Sequence, residues 1–259
     1  MDGVPAFAAR TGGIAERFAA RLGRRHPAAV FFGALLIGFI LLAGSAILLG
    51  LFITDVLTHV AGIGSTDESF IKSLARDRTA TLNDASAVGS AVGGAPVLPI
   101  LAGLVAIVCA FKRRWLIAGF AVFVLAVESA TYRVSSIVVP RERPHVHRLE
   151  NLPADASFPS GHTAAAIAVY AGLVLLVTSR IRDGRVRVAA WIVAVLLPIV
   201  VAMSRMYRGM HHPLDVAGGV VIGIGAIAVL LFACRAAGCV EHAPAWRRSA
   251  RRSKTARLA

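Results

Sequence analysis

Long apolar runs alternate with shorter polar ones along this chain. Six runs, at 28–53, 97–111, 115–139, 163–179, 188–203 and 214–233, hold few or no charges. At 1.5 Å per residue, about 20 such residues cross a hydrocarbon core of about 30 Å, so each run predicts a membrane-spanning helix. The run at 97–111 is short, and its start is expected to extend back through Pro96. Backbone polar groups in lipid must satisfy one another, which makes an all-α, polytopic bundle of six helices the expected fold. In the last run Gly219 and Gly223 stand four apart, the spacing that lets a second helix approach closely.

The polar stretches are less regular. The longest, 54–95, holds a segment from Asp67 to Arg78 that predicts a short helix capped by Thr66 or Asp67, and a Gly- and Ser-rich stretch, 86–94, that reads as a flexible connector or a re-entrant turn. Ahead of the first run, Ile14, Phe18 and Leu22 recur at four-residue spacing, with Phe7 upstream. That pattern fits an amphipathic helix on the inner leaflet or an unordered tail. The division expected is a basic segment at 1–27, a membrane domain at 28–235 and a basic tail without regular structure at 236–259. The first run exceeds a signal-peptide core in length, so it is expected to stay as an anchor.

Composition agrees: 57% of the 259 residues are hydrophobic and 16% charged, outside the range of ordinary soluble domains. A formal charge of +14 would point to nucleic acid or an acidic surface, but its placement gives another reason. With the N-terminus inside, the cytoplasmic segments hold Arg10, Arg17, Arg21, Arg24 and Arg25, then Lys112 to Arg114, then Arg180 to Arg187, then the tail from Arg235 to Arg257. This is the positive-inside pattern, with contacts to anionic lipid and no nucleic-acid partner. It sets both termini of a multi-pass protein in the cytoplasm; the Ala- and Arg-rich composition and the compact six-span design lead to the expectation of a bacterial inner (plasma) membrane. Cys109, Cys234 and Cys239 have no ligand spacing and are expected as free thiols.

Three polar motifs then fall on the outer face: Pro140-Arg141-Glu142-Arg143-Pro144 after the third run, Pro159-Ser160-Gly161-His162 before the fourth, and the stretch from Ser204 to Asp215 between the fifth and sixth. Each supplies a part of a phosphoryl-transfer site. Arg143 and Arg205 offer planar donor forks that match phosphate oxygens. The backbone amides of Ser160 and Gly161, at the positive end of a helix, suit an anion. His211 and His162 are then available for attack and proton transfer, with Asp215, four residues after His211, placed to hold one imidazole nitrogen. No cofactor or metal is called for, because arginines supply the positive charge. His145, His147 and His212 lack the fixed spacing of a metal motif and read as loop histidines.

The second and third of these motifs, Pro159-Ser160-Gly161-His162 and Ser204-Arg205 with His211 and Asp215, resemble signature motifs of the type 2 phosphatidic acid phosphatase superfamily of integral-membrane lipid phosphate phosphatases. Arg143-Pro144 resembles the end of the family's first motif. The resemblance implies a six-helix core, a phosphohistidine formed on His211, Asp215 as its orienting partner and His162 as the acid for the leaving group. It also implies a lipid phosphate or pyrophosphate substrate, such as undecaprenyl pyrophosphate, phosphatidate or phosphatidylglycerol phosphate. The family's first motif has a lysine seven residues before the arginine, where this chain has Ser136. Arg133, one turn earlier in an apolar span, is a candidate replacement; the other readings are snorkelling to the interface or pairing with Glu128. The missing lysine supports a competing function, a non-catalytic multipass protein that retains an anion-binding pocket. The related vanadium-dependent haloperoxidases share the anion site but are expected in soluble proteins.

Overall fold

A computed structural model describes residues 4–22, 25–60, 62–151 and 156–241. Among them the secondary structure is helical throughout, with no strand. The helices are α1 (Ile14–Leu22), α2 (Pro27–Leu51), α3 (Ile63–Arg76), α4 (Ala80–Val92), α5 (Val97–Phe111), α6 (Trp115–Val138), α7 (Gly161–Ala166), α8 (Gly172–Thr178), α9 (Gly184–Tyr207) and α10 (Pro213–Glu241). Six helical stretches are long and apolar enough to cross a membrane: Pro27–His59, Ala80–Phe111, Trp115–Val138, Gly161–Thr178, Gly184–Tyr207 and Pro213–Val240. The protein is a multi-pass membrane protein, and exposed Phe32, Leu36, Ile40, Ile100, Leu104, Ile192 and Ile199 give its outer surface the apolar character that lipid requires.

Local chemistry sets the helix starts. Pro27 opens α2 and the His26 imidazole Nδ1 accepts from the Ala28 amide at 3.2 Å. Asp183 caps α9, accepting from the Arg185 amide at 2.8 Å. α7 and α8 are one rod joined by a π-helical turn at 167–171.

Four expectations change. The stretch 86–94 is not a connector: most of it lies in α4, which with α5 forms the second span, broken at 93–96 by two glycines and the Ala95–Pro96 bond. Hydropathy hides α4 because its polar residues face inward. Ser86 and Ser90 are buried against α9, whereas Leu82 and Val88 are exposed. α3 begins at Ile63, four residues before the expected start, and Asp67 is a buried side chain within it rather than a cap. α1 is a helix, but its apolar side faces protein: Ala15 and Ala19 are buried, and Phe18 meets Phe232 of α10 at 5.3 Å between ring centroids. α10 runs to Glu241, so 236–241 are helical; the rest of the expected tail, 242–259, lies outside the described residues.

α10 packs against α2, α6 and α7. The α7 contact is a backbone contact. A methyl group on Gly219 would stand 2.6 Å from the Ser160 carbonyl oxygen, and one on Gly223 2.7 Å from that of Ala164. Only glycine permits this spacing. The up-and-down path then brings the end of α6, the start of α7, the end of α9 and the start of α10 together at one end of the bundle. The basic turns at 112–114 and 179–183 lie at the other end.

Candidate active site

The chain from 139 to 160 is tied down before any catalytic group is considered. The Ser157 amide donates to the Arg141 carbonyl at 2.7 Å, and the Leu149 amide to the Arg208 carbonyl at 3.1 Å. Arg78, following α3, reaches across to the Tyr207 carbonyl at 2.9 Å and the His147 carbonyl at 2.7 Å. This framework fixes the loop against the end of α9.

His211 is 3% exposed. Its Nδ1 lies 2.8 Å from the Ser157 carbonyl oxygen. A carbonyl only accepts, so Nδ1 carries the proton, and in the neutral ring Nε2 is left with its lone pair free. Burial, assisted by the charges of Arg205 and Arg143, holds the His211 pKa well below 6.5 against the opposing pull of Asp215 and the Ser157 carbonyl. The imidazole is therefore neutral at neutral pH, the form a nucleophile needs.

Asp215 does not take the position that its four-residue spacing suggested. Its nearest approach to His211 Nδ1 is 3.9 Å. Oδ2 instead accepts from the His212 amide at 2.8 Å and from the Ser157 hydroxyl at 2.5 Å, and Oδ1 from Arg141 Nε at 2.7 Å. Asp215 thus holds Ser157, and Ser157 holds the imidazole. Arg141 continues the chain: its Nη2 donates to Asp67 Oδ2 at 2.5 Å, while Asp67 Oδ1 accepts from the Leu214 amide at 3.1 Å. Burial raises the Asp67 pKa more than the Leu214 amide and the His212 and Arg141 charges lower it. His212 bridges Asp215 and Glu68, 3.0 Å from the latter, and these carboxylates raise its pKa despite burial.

Arg141 is thus the centre of a buried Asp67–Arg141–Asp215 triad. Its replacement by alanine would leave two carboxylates facing each other in a buried space, and loss of one partner from such a group costs about 3–5 kcal/mol. Arg141→Ala is expected to unfold in detergent at a correspondingly lower denaturant concentration. A midpoint equal to that of the natural chain would refute the triad's structural weight.

Arg205 enters from the last turn of α9 and is 1% exposed. Its Nη1 donates to the Ser90 hydroxyl at 2.7 Å and to Glu150 Oε2 at 2.5 Å. Its Nε–H is buried with no partner among the described residues. Arg208 holds the other oxygen of Glu150 at 2.6 Å, with Ser86, Asn83 and Leu149 as its remaining partners. Burial alone would raise the Glu150 pKa, but the Arg205 charge and hydrogen bonds from Arg205, Ser90 and Arg208 take it down to about 2. Its ordinary value is 4.5, so the stabilisation is complete above pH 4.5 and is lost as acid carries the pH from there to about 2. Acid unfolding of Glu150→Gln is expected to be less steep over that window; identical slopes would rule the linkage out.

Arg143 donates to the Met210 carbonyl at 2.6 Å, next to His211. The charges of Arg205 and Arg143 act on both His211 and His162. His162, largely buried in the first turn of α7, faces the α4–α5 break: a methyl group on Gly94 would lie 3.1 Å from its Nε2. The structure therefore brings Arg143, His162, Arg205, His211 and Asp215 to one end of the bundle.

Ser160 departs from its expected part. Its amide donates to the Asp215 carbonyl at 3.0 Å and its hydroxyl pairs with that of Thr163 at 2.9 Å, so it joins α7 to α10 instead of offering an N–H to an anion. Gly161, the first residue of α7, retains an amide with no helical acceptor, and the Tyr132 ring packs 3.0 Å from where its Cβ would be. Arg133 is exposed, on a different face of α6 from the buried stripe of Glu128, Thr131 and Ser135. Among the described residues no three His, Cys, Asp or Glu side chains converge as a metal site requires.

Motif reading missed Asp67, Ser90, Glu150, Ser157 and Arg208. None has a local signature, but Arg208 lies inside the third motif and Glu150 is one of few acidic residues near it.

Residues 117–237 match the family model of the PAP2 superfamily. An undecaprenyl-diphosphatase of Sulfolobus acidocaldarius is 32% identical over 123 residues, 46% of this chain and 55% of that protein. Sphingosine-1-phosphate phosphatase 2 of Homo sapiens is 37% identical over 83 residues, 32% of this chain and 20% of that protein. The chain thus spans about half or less of the length of these relatives. A transmembrane PAP2-type phosphatidylglycerolphosphate phosphatase from Bacillus subtilis, solved by crystallography, superposes with a TM-score of 0.61 at 24% identity, covering 79% of this chain and 93% of that one. It shares the fold.

Proposed function

We propose that this chain, whose residues 117–237 match the family model of the PAP2 superfamily, is a membrane phosphatase that hydrolyses a lipid phosphate or pyrophosphate. The observation that carries this reading is the Arg205 Nε–H, buried and without a partner among the described residues, in a field shared by two histidines. A buried guanidinium donor without an acceptor is costly unless a ligand supplies one. Phosphate oxygens fit it.

His211 Nε2 attacks phosphorus, forming a P–N bond as the P–O bond to the lipid breaks, and His162 gives a proton to the departing oxygen. Water then attacks the phosphohistidine while His162 takes up its proton, and the P–N bond breaks to release phosphate and free His211. Arg143, Arg205 and the Gly161 amide hold the three equatorial oxygens as charge spreads over them. Asp215 acts one step away, through Ser157 and through its charge on the ring. The scissile group enters from the extracytoplasmic side, because the basic turns at the opposite end of the bundle favour the cytoplasm. The acyl or isoprenoid chain stays in the bilayer.

Purified protein given a panel of lipid phosphates is expected to release inorganic phosphate at a rate unchanged by a chelator. Abolition by the chelator and recovery with one divalent cation would overturn the metal-independent mechanism. The competing reading, a non-catalytic protein with an anion pocket, rests on Ser136 standing where the family has lysine. It requires binding without phosphate release across the whole panel.

A further inference from the structure

Beside the nucleophile stands a second buried imidazole that the mechanism above does not use. His212, 8% exposed, lies between two helices. Its Nδ1 is 3.3 Å from Asp215 Oδ2 on α10, and its Nε2 is 3.0 Å from Glu68 Oε2 on α3. Carboxylate oxygens only accept, so a ring that donates to both carries a proton on each nitrogen and is an imidazolium. Asp215 has no proton to offer in return: its Oδ2 already accepts from the His212 amide and the Ser157 hydroxyl, and its Oδ1 from Arg141. Glu68 has none either. Burial would raise its pKa, but hydrogen bonds from His212 and from the His145 amide, the latter at 3.1 Å, bring it below 4.5.

The charges around the ring show what its proton does. On α3, Asp67 accepts from the Leu214 amide, and Lys72, half-exposed, stands 3.4 Å from Glu68. The loop after α6 contributes Arg141, shared by Asp67 and Asp215, and His145, 71% exposed and 3.8 Å from Glu68. His211, the chain neighbour, is committed to the Ser157 carbonyl. Without the His212 proton, the carboxylates of Asp67, Glu68 and Asp215 would be left with one buried cation, Arg141. The element repelled would be α3, which brings two of the three.

We propose that His212 is a positioning residue: its imidazolium ties Glu68 of α3 to Asp215, and through Asp215 and Ser157 that tie holds the His211 ring in place for attack. The outer helix α3 thereby becomes part of the frame around the nucleophile. The catalytic consequence rests on the phosphatase reading; the tie itself does not. The tie also has a direction in pH. Burial opposes the charge of His212, but its bonds to Asp215 and Glu68 and the Asp215 charge raise its pKa above the ordinary 6.5. The tie is therefore complete below pH 6.5 and is lost as the pH rises through the raised value.

Hydrogen exchange of α3, residues 63–76, in the purified full-length chain reads the tie without a substrate. At each pH the comparison is with His212→Asn, which keeps an N–H near the Nδ1 position and carries no charge, so the intrinsic pH dependence of exchange cancels. α3 is expected to exchange more slowly in the natural chain below pH 6.5, and the difference is expected to vanish as the pH rises. The kinetic measurement uses phosphatidate and undecaprenyl pyrophosphate. The ratio of kcat in the natural chain to that in His212→Asn is expected to be about tenfold to a hundredfold below pH 6.5, the cost of a misplaced reacting group, and to approach one over the same rise. Titrations common to both proteins, that of the substrate included, cancel in this ratio. Glu68→Gln keeps an acceptor for Nε2 without the charge, and should move both transitions down by about one pH unit. His145→Ala keeps the backbone amide and should leave them in place. A pH-independent difference in exchange, or a transition abolished in His145→Ala, would overturn the tie. A pH-dependent tie with a constant kcat ratio would overturn the positioning. The expected exchange without turnover of either lipid would sustain the tie and overturn the phosphatase reading, and the positioning with it.

Discussion

Substituting His211 by alanine is expected to lower phosphate release by about 10³–10⁶-fold, the range in which loss of a nucleophile leaves only binding and electrostatic stabilisation. The size follows from the ring's surroundings. Nδ1 is committed to the Ser157 carbonyl, so the reactive lone pair belongs to Nε2 and no neighbour can take its place. Loss of the ring also frees that carbonyl, so a control must keep it paired: His211→Asn places an amide N–H near the Nδ1 position and removes the nucleophile. Both variants should fail to form an acid-labile phosphohistidine from labelled substrate, whereas His162→Ala should accumulate it when breakdown is slowed more than formation. Labelling that persists without His211 would move the nucleophile elsewhere.

Arg205→Ala comes second, with an expected loss of about 10²–10³ in kcat by analogy with removal of an oxyanion donor. Its neighbour Arg208 provides the internal comparison. Both hold Glu150, but the donors of Arg208 are taken up by Glu150, Asn83, Ser86 and Leu149, whereas Arg205 retains the Nε–H. Arg208→Ala should therefore lower stability with a smaller effect on kcat in the protein that remains folded. Arg205→Ala should lower kcat even where folding is intact. Equal kinetic losses in the two would show that Arg205 works only through the Glu150 framework.

The apolar runs placed the starts of these helices within about four residues, and 97–111 coincides with α5, because lipid favours apolar side chains on the outer surface whatever their period. The same rule concealed α4. A helix that turns serines toward buried arginines, and leucine and valine outward, has low mean hydropathy even though those outward residues are apolar. Charge asymmetry and motif order were enough to gather Arg143, His162, Arg205, His211 and Asp215 on one side, since adjacent antiparallel helices alternate their ends. Spacing along the chain did not give side-chain bonds. Four residues separate His211 from Asp215, but His211 precedes the helix that carries Asp215, so the i,i+4 geometry of a continuous helix does not apply. The Ser157 carbonyl, which does hold the ring, has no sequence signal because every residue has a carbonyl. Arg133 was singled out by its chemistry alone; on a helix of 3.6 residues per turn it falls on the exposed side.

The seam at Gly219 and Gly223 separates the reacting groups from the mechanics of the bilayer. Membranes of different thickness are met by tilt and bending of lipid-facing helices, at fractions of a kcal/mol per Å of mismatch. α7 and α10 touch backbone to backbone and are joined by the Ser160–Asp215 bond, so they can tilt only as one body. His162 rides on α7 and His211 is anchored at the head of α10. A thicker or thinner bilayer is therefore expected to reorient the pair relative to the surface of the membrane while leaving the distance between the two imidazoles unchanged.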